Sequence, residues 1–151
     1  MKKPNFKLSA IGMVIIAIFC IGNLSAQEKT IAGMLQEKEW VMQFPHKVEF
    51  SMEIKFIGND YVGVFKFEGK EVEARSPYYL SDEVNWMFNE QKVGCTENGK
   101  YIIVNENRKN PKTGPYKEVI IYEILKLTET ELQLKNLRNN SILSYKSEEV
   151  K

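Results

Sequence analysis

The 151-residue sequence contains one histidine, two cysteines and 5 prolines. A single histidine, His46, cannot build a histidine-rich zinc site, and no cysteine or acidic cluster stands around it at ligand spacing. Cys20 falls in an apolar stretch near the N-terminus, so Cys95 is left without an intrachain disulfide partner in the remainder. Charge of one sign is also missing: 21 Lys and Arg face 20 Asp and Glu, a formal net charge of +1. That balance weighs against a nucleic-acid binder, which shows a basic excess or stripe. There is no glycine-rich phosphate loop, serine nucleophile elbow or calcium loop, so the sequence offers no cofactor motif.

The chain opens with Lys2, Lys3 and Lys7, followed by an almost wholly apolar run from Ile11 to Ile21 and then Leu24-Ser25-Ala26. A basic start, a short apolar core and a small residue before a cut describe a secretory signal peptide over residues 1–26. The run is short for a membrane span, which takes about 20 residues. Phe19 stands where a lipoprotein signal would place a small residue before its cysteine, so Cys20 reads as part of the apolar run. The domain is then expected over 27–151, exported to the periplasm, envelope or exterior, with no membrane span. Losing three lysines leaves 18 basic against 20 acidic residues, a formal charge of −2. About 125 residues can bury a core that needs no covalent staples.

Gln27 to Glu39 holds the one helix candidate. Ile31, Met34 and Leu35 fall on one face and Thr30 is placed to cap it. From Trp40 onward the apolar period is two. Strands are expected over 39–44, 47–57, 61–68, 71–79, 84–88, 101–107, 116–127, 131–137 and 141–147. Between Lys47 and Ile57, Val48, Phe50, Met52, Ile54 and Phe56 alternate with charged or polar residues, as in a sheet with one wet face. Turn signals fall at Gly58-Asn59-Asp60, Glu68-Gly69-Lys70, Asn98-Gly99 and Asn139-Asn140. Pro77 suits an edge or strand end. Arg108 to Pro115 has the composition of an exposed loop. Eight or nine short sequential strands with one short helix predict an all-β fold, an antiparallel up-and-down barrel whose closure removes its edges.

Two stretches resemble the exported bacterial lipocalin-like domains. Leu35-Gln36-Glu37-Lys38-Glu39-Trp40 sits where lipocalins pass from a short helix into a tryptophan-bearing first strand. Tyr122 to Leu134 is similar to the family's late Y-x-I-x-x-L-T-x-x-x-L-x-L segment. The Gly-x-Trp of strict lipocalins is absent, with Lys38 two residues before Trp40. The arginine that family members set on the last strand against the tryptophan has only Lys146 or the earlier Arg138 in its place. The resemblance implies a barrel with room for a small apolar or amphipathic ligand.

No catalytic residue is assigned. His46, beside Pro45, is expected on the surface. Cys95 is expected to be a buried or half-buried structural thiol, as free cysteines usually are. Glu68, Glu71 and Glu73, with Asp82 and Glu83 beyond, could supply paired carboxylates, yet their alternation fits the solvated face of strands. Asn139-Asn140-Ser141 matches a glycosylation sequon and is read as coincidental.

Aromatic residues are spread over nearly every strand, either filling a solid core or lining a cavity. In the second case the lining is expected from Trp40, Phe50, Met52, Ile54, Phe65, Phe67, Trp86, Phe88 and Tyr122. The sequence therefore points to a non-enzymatic ligand carrier, with a protein-interaction or inhibitor module using the Arg108–Pro115 loop as the alternative. One feature of 116–127 predicts a cover. Ile120, Tyr122 and Ile124 make one apolar face and Val119, Ile121 and Leu125 a second, so the 30–37 helix is expected to lie over the second through Ile31, Met34 and Leu35.

Overall fold

The computed structural model describes residues 29–148. The expected signal peptide over 1–26 lies outside the described residues. A short helix α1 (Ile31–Gln36) precedes eight strands: β1 (Glu39–Met42), β2 (Phe50–Ile57), β3 (Asp60–Phe67), β4 (Lys70–Ser81), β5 (Tyr101–Asn110), β6 (Gly114–Leu127), β7 (Glu131–Asn136) and β8 (Ile142–Glu148). Each strand pairs antiparallel with the next, and β8 returns to β1 to close the barrel.

Alternation sets the inside. In register across β2, β3 and β4, Phe56 meets Tyr61 and Ile54 meets Gly63, while Gly63 meets Ala74. The same face continues through Tyr78, Leu80, Ile102, Val104, Ile120, Tyr122, Leu132, Leu134 and Tyr145, which pack as one buried cluster with Trp40. The β2–β3 turn is tight, and Gly58 takes a φ of 58° there that a side chain would resist.

One end of the barrel is solid. Leu35 and Trp40 are fully buried there, and Phe56 makes edge contacts with Tyr61 and Tyr78 at 5.6 and 5.2 Å. The Trp40 indole N–H donates to the Leu35 carbonyl at 3.1 Å, tying the first strand to α1. The cation over its ring is Lys38, 6.0 Å from the ring centroid, and comes from before β1. Thr30 caps α1 as expected, its hydroxyl accepting from Gly33 N–H at 3.1 Å.

The helix does not lie where the sequence placed it. Ile31, Ala32 and Leu35 pack into the interior cluster, so α1 closes the barrel end and leaves the outer face of β6 alone. Six residues span about 9 Å, enough to stopper an end but short for a strand face. The outer face is covered by the β4–β5 connection instead. Phe88 and Val93 lie over Tyr79, Ile103 and Ile121, with Val119 beside them. Val84–Phe88 is accordingly no strand, and a single 3₁₀ turn (Glu90–Lys92) is the only regular element between β4 and β5.

Two further expectations change. Arg108–Pro115 is the end of a long hairpin, with β5 running to Asn110 and β6 starting at Gly114. Its tip is held by the Asn110 side chain, which accepts from Lys112 N–H at 2.8 Å. Asn98-Gly99 does not reverse the chain as a hairpin. The Asn98 side-chain oxygen accepts from Ile31 N–H at 3.0 Å, and Glu97 carbonyl accepts from Ala32 N–H at 2.8 Å. A Cβ on Gly99 would stand 2.5 Å from Ser81 N, so glycine serves a close backbone approach.

Candidate ligand cavity

The other half of the barrel is open. It holds a cavity of about 560 Å³ bounded by residues from all eight strands and the β7–β8 turn. Small residues create the space: Gly63 and Ala74 are register partners on adjacent strands, Ser76 follows on β4, and all three line the cavity. Nothing lies within 4 Å of where a Gly63 Cβ would sit. Met42, Met52, Phe65, Val72 and Leu143 supply the apolar wall. Val72 is 63% exposed, because its side of the wall faces the opening.

Tyr61, Tyr122 and Tyr145 bring polarity into this apolar wall. The Tyr61 and Tyr122 rings stack at 6.1 Å. Burial pushes the Tyr122 hydroxyl up to about 12, with the Glu106 carboxylate adding to the shift and a hydrogen bond with Tyr61 opposing it. Tyr61 is raised well above the ordinary tyrosine value, by burial first and then by Tyr122, Tyr145 and Glu106. Tyr145 is raised by burial, Tyr122 and Glu106. All three phenols stay neutral at physiological pH and keep their O–H donors.

Charges sit at the rim. Glu106 and Glu118 are cross-strand partners on β5 and β6, an arrangement that repels unless bridged. Arg108 bridges them, 2.6 Å from Glu106 and 3.3 Å from Glu118, and Arg138 from the β7–β8 turn pairs with Glu118. The chain Glu106–Arg108–Glu118–Arg138 joins the long hairpin to the neighbouring β7–β8 turn.

The wall has a side gap. β4 has twelve residues and β5 ten, yet only Tyr78–Ser81 pair with Tyr101–Val104. Pairing stops where Pro77 would face Asn105. Tyr78 N–H bonds to Asn59 on the β3 side, so the next nitrogen back points at β5, and proline has no hydrogen there. Beyond that point the two strands are linked by the Asn107 side chain donating to the Arg75 carbonyl at 3.3 Å. Val72, Ala74, Ser76, Glu106 and Arg108 line the cavity from the two sides of this gap.

Of the residues expected at a cavity, Met52, Ile54, Phe65 and Tyr122 line it. Phe50 lies tilted against Phe65 at 5.6 Å and meets Phe44 edge-on at 5.2 Å, extending the aromatic wall outward. Phe67 shares the Phe65 face at the turn end of β3, and Trp40 is sealed in the solid end. Trp86 and Phe88 belong to the outer connection, Trp86 exposed and Phe88 packed on Tyr79 at 5.2 Å. The cluster Glu106, Arg108, Glu118 and Arg138 was missed. Its signal was present, since β5 continues Ile102 and Val104 on the same alternation into Glu106 and Arg108.

Neither nucleophile candidate finds a partner set. His46 is exposed on the β1–β2 connection. Cys95 is exposed too, against expectation, because Val93 takes the inward place after the 3₁₀ turn; its thiol donates to the Gln91 carbonyl at 2.9 Å. Among the described residues no three His, Cys, Asp or Glu side chains gather at a metal-binding distance, and no helix is long and apolar enough to cross a membrane. Searches of protein-family models, curated proteins and solved structures find no match to this chain, so the cavity's own chemistry is what speaks for its use.

Proposed function

We propose that this chain is an exported, non-enzymatic binding protein of lipocalin-like kind that holds a small amphipathic molecule in the open half of its barrel. The observation that carries the reading is Gly63 opposite Ala74, two near-absent side chains on the inner face where a barrel otherwise packed with aromatics opens out, Ala74 itself exposed. A solid core would spend that space on larger residues, since interiors are close-packed. A volume of about 560 Å³ falls in the range of small-molecule sites. The wall is apolar through Met42, Met52, Phe65, Val72 and Leu143, while the tyrosines, Glu106 and Arg108 add polar partners. Such a lining suits a molecule with an apolar body and a hydrogen-bonding group.

Titration of the mature protein with an anilinonaphthalene sulfonate probe tests it. Saturable, one-to-one fluorescence enhancement is expected for the native chain. Ala74→Trp, which fills the cavity, should weaken binding at least about tenfold with circular dichroism unchanged. Equal binding by the filled variant places the probe elsewhere and removes the reading. Native mass spectrometry of protein recovered from exporting cells should then show a small-molecule adduct that Ala74→Trp lacks.

A further inference from the structure

We propose that the gap between β4 and β5 accepts an extended peptide segment as an added strand, its alternate side chains entering the cavity. The gap offers main-chain groups on both sides. Tyr78 N–H bonds toward β3 and the Arg75 carbonyl points toward β5, so alternation aims the N–H and C=O of Glu71, Glu73 and Arg75 into the gap. On the facing strand, Lys100 C=O bonds toward β6, which aims those of Asn105, Asn107 and Lys109 the other way, toward β4. Among the described residues, a single bond between these two edges, from the Asn107 side chain to Arg75, crosses the gap.

Facing edges with unused donors and acceptors are satisfied by one kind of partner above others, a polypeptide in extended form. An aliphatic or aromatic small molecule leaves them unpaired. Because β4 and β5 run antiparallel, an inserted strand is antiparallel to one and parallel to the other. Its inward side chains meet Val72, Ala74, Ser76 and the open volume behind Gly63, which favours apolar residues at every second position. Its outward side chains pass Glu71, Glu73 and Arg75 on β4 and Asn107 and Lys109 on β5, an exposed row of mixed charge in which Arg75 already pairs with Glu73, which favours polar residues such as lysine or threonine there. Pro77 sets where the gap begins, and the Asn107–Arg75 contact is the one link the strand must displace.

The probe is a synthetic heptapeptide alternating lysine or threonine with valine or phenylalanine, added to the mature chain. Binding should slow amide hydrogen exchange at 71–75 and 105–109. Methylating the peptide's alternate backbone nitrogens should weaken binding at least tenfold. In a Cys95→Ser background, oxidised Arg75→Cys/Asn107→Cys should refuse the peptide and reduction should restore it. Pro77→Val, which supplies the missing N–H, should weaken binding by letting β4 and β5 pair further. Equal affinity for the methylated peptide, protection confined to other strands, or no binding by the unmethylated peptide would each overturn the proposal.

Discussion

Glu106 and Glu118 stand directly opposite each other across β5 and β6, and Arg108, two residues beyond Glu106, lies against both. The arginine offsets a repulsion built into the hairpin. Arg108 is half exposed, so its contribution is modest, about 0.5–1 kcal/mol. Arg108→Ala should lower the unfolding free energy by that amount, read as a lower urea midpoint at an unchanged slope. Adding Glu106→Gln should recover part of the loss, because the repulsion goes with the charge while Glu118 keeps its pairing with Arg138. A double variant no more stable than Arg108→Ala would show that the carboxylates do not repel.

Gly99 predicts a larger effect. Its Cβ position is 2.5 Å from Ser81 N and 2.9 Å from Ser81 C, both backbone atoms that cannot swing away. Gly99→Ala should therefore destabilise by about 1–3 kcal/mol, as overpacking does. The strain also falls where Asn98 and Glu97 hold α1, so faster hydrogen exchange at 31–36 should accompany the loss. A melting temperature equal to that of the native chain would show that the two backbones lie further apart.

Phe88 separates the two covers. Replacing it with alanine should cost about 2 kcal/mol, less than a fully buried aromatic because Phe88 is only half-buried. Exchange should rise at Tyr79, Ile103 and Ile121 while the cavity probe still binds. Loss of probe binding with no change at those amides would place Phe88 in the cavity wall.

Base unfolding should carry a tyrosine signature. Tyr122 titrates near 12 when folded, while an unfolded tyrosine titrates near 10. Between those values the unfolded chain has lost its proton and the folded chain has kept it, so unfolding is favoured as pH rises. The stabilisation is whole below about pH 10 and is lost on the way to 12; Tyr61 and Tyr145 act in the same direction. Stability measured against pH should fall less steeply above 10 in Tyr122→Phe. An identical slope would mean that the phenol is solvated.

Much of the barrel was legible because its strands carry one apolar face, as with Ile54 and Phe56 against Glu53 and Lys55. Pattern alone could not say what covers a second face. Val119 and Ile121 demanded a cover, and both α1 and the 84–99 stretch were apolar enough to supply it. Length and tethering decided: α1 is held at the barrel end by Asn98, Glu97 and Trp40, while Phe88 and Val93 arrive directly from β4. Asn98-Gly99 misled because the same dipeptide serves a turn or a close approach. At the site, aromatic content could not report height along the barrel, so Trp40 and Phe65 looked alike although one is sealed and the other borders the opening. The better clue was Gly63, a glycine inside a strand with no turn to make.

Seven of the eight strand pairings join neighbours in the chain, and Trp40 beside Ser147 belongs to the one that does not. Apart from the long β4–β5 connection, hairpins can zip in sequence with short loops to close, whereas β1 and β8 must find each other from opposite ends of the domain. That meeting is the slow step expected in refolding, and it is also when Trp40 leaves water. Its fluorescence should change with the last kinetic phase, after the strand signal has formed, so the tryptophan in the solid end times the moment at which the sheet becomes a ring.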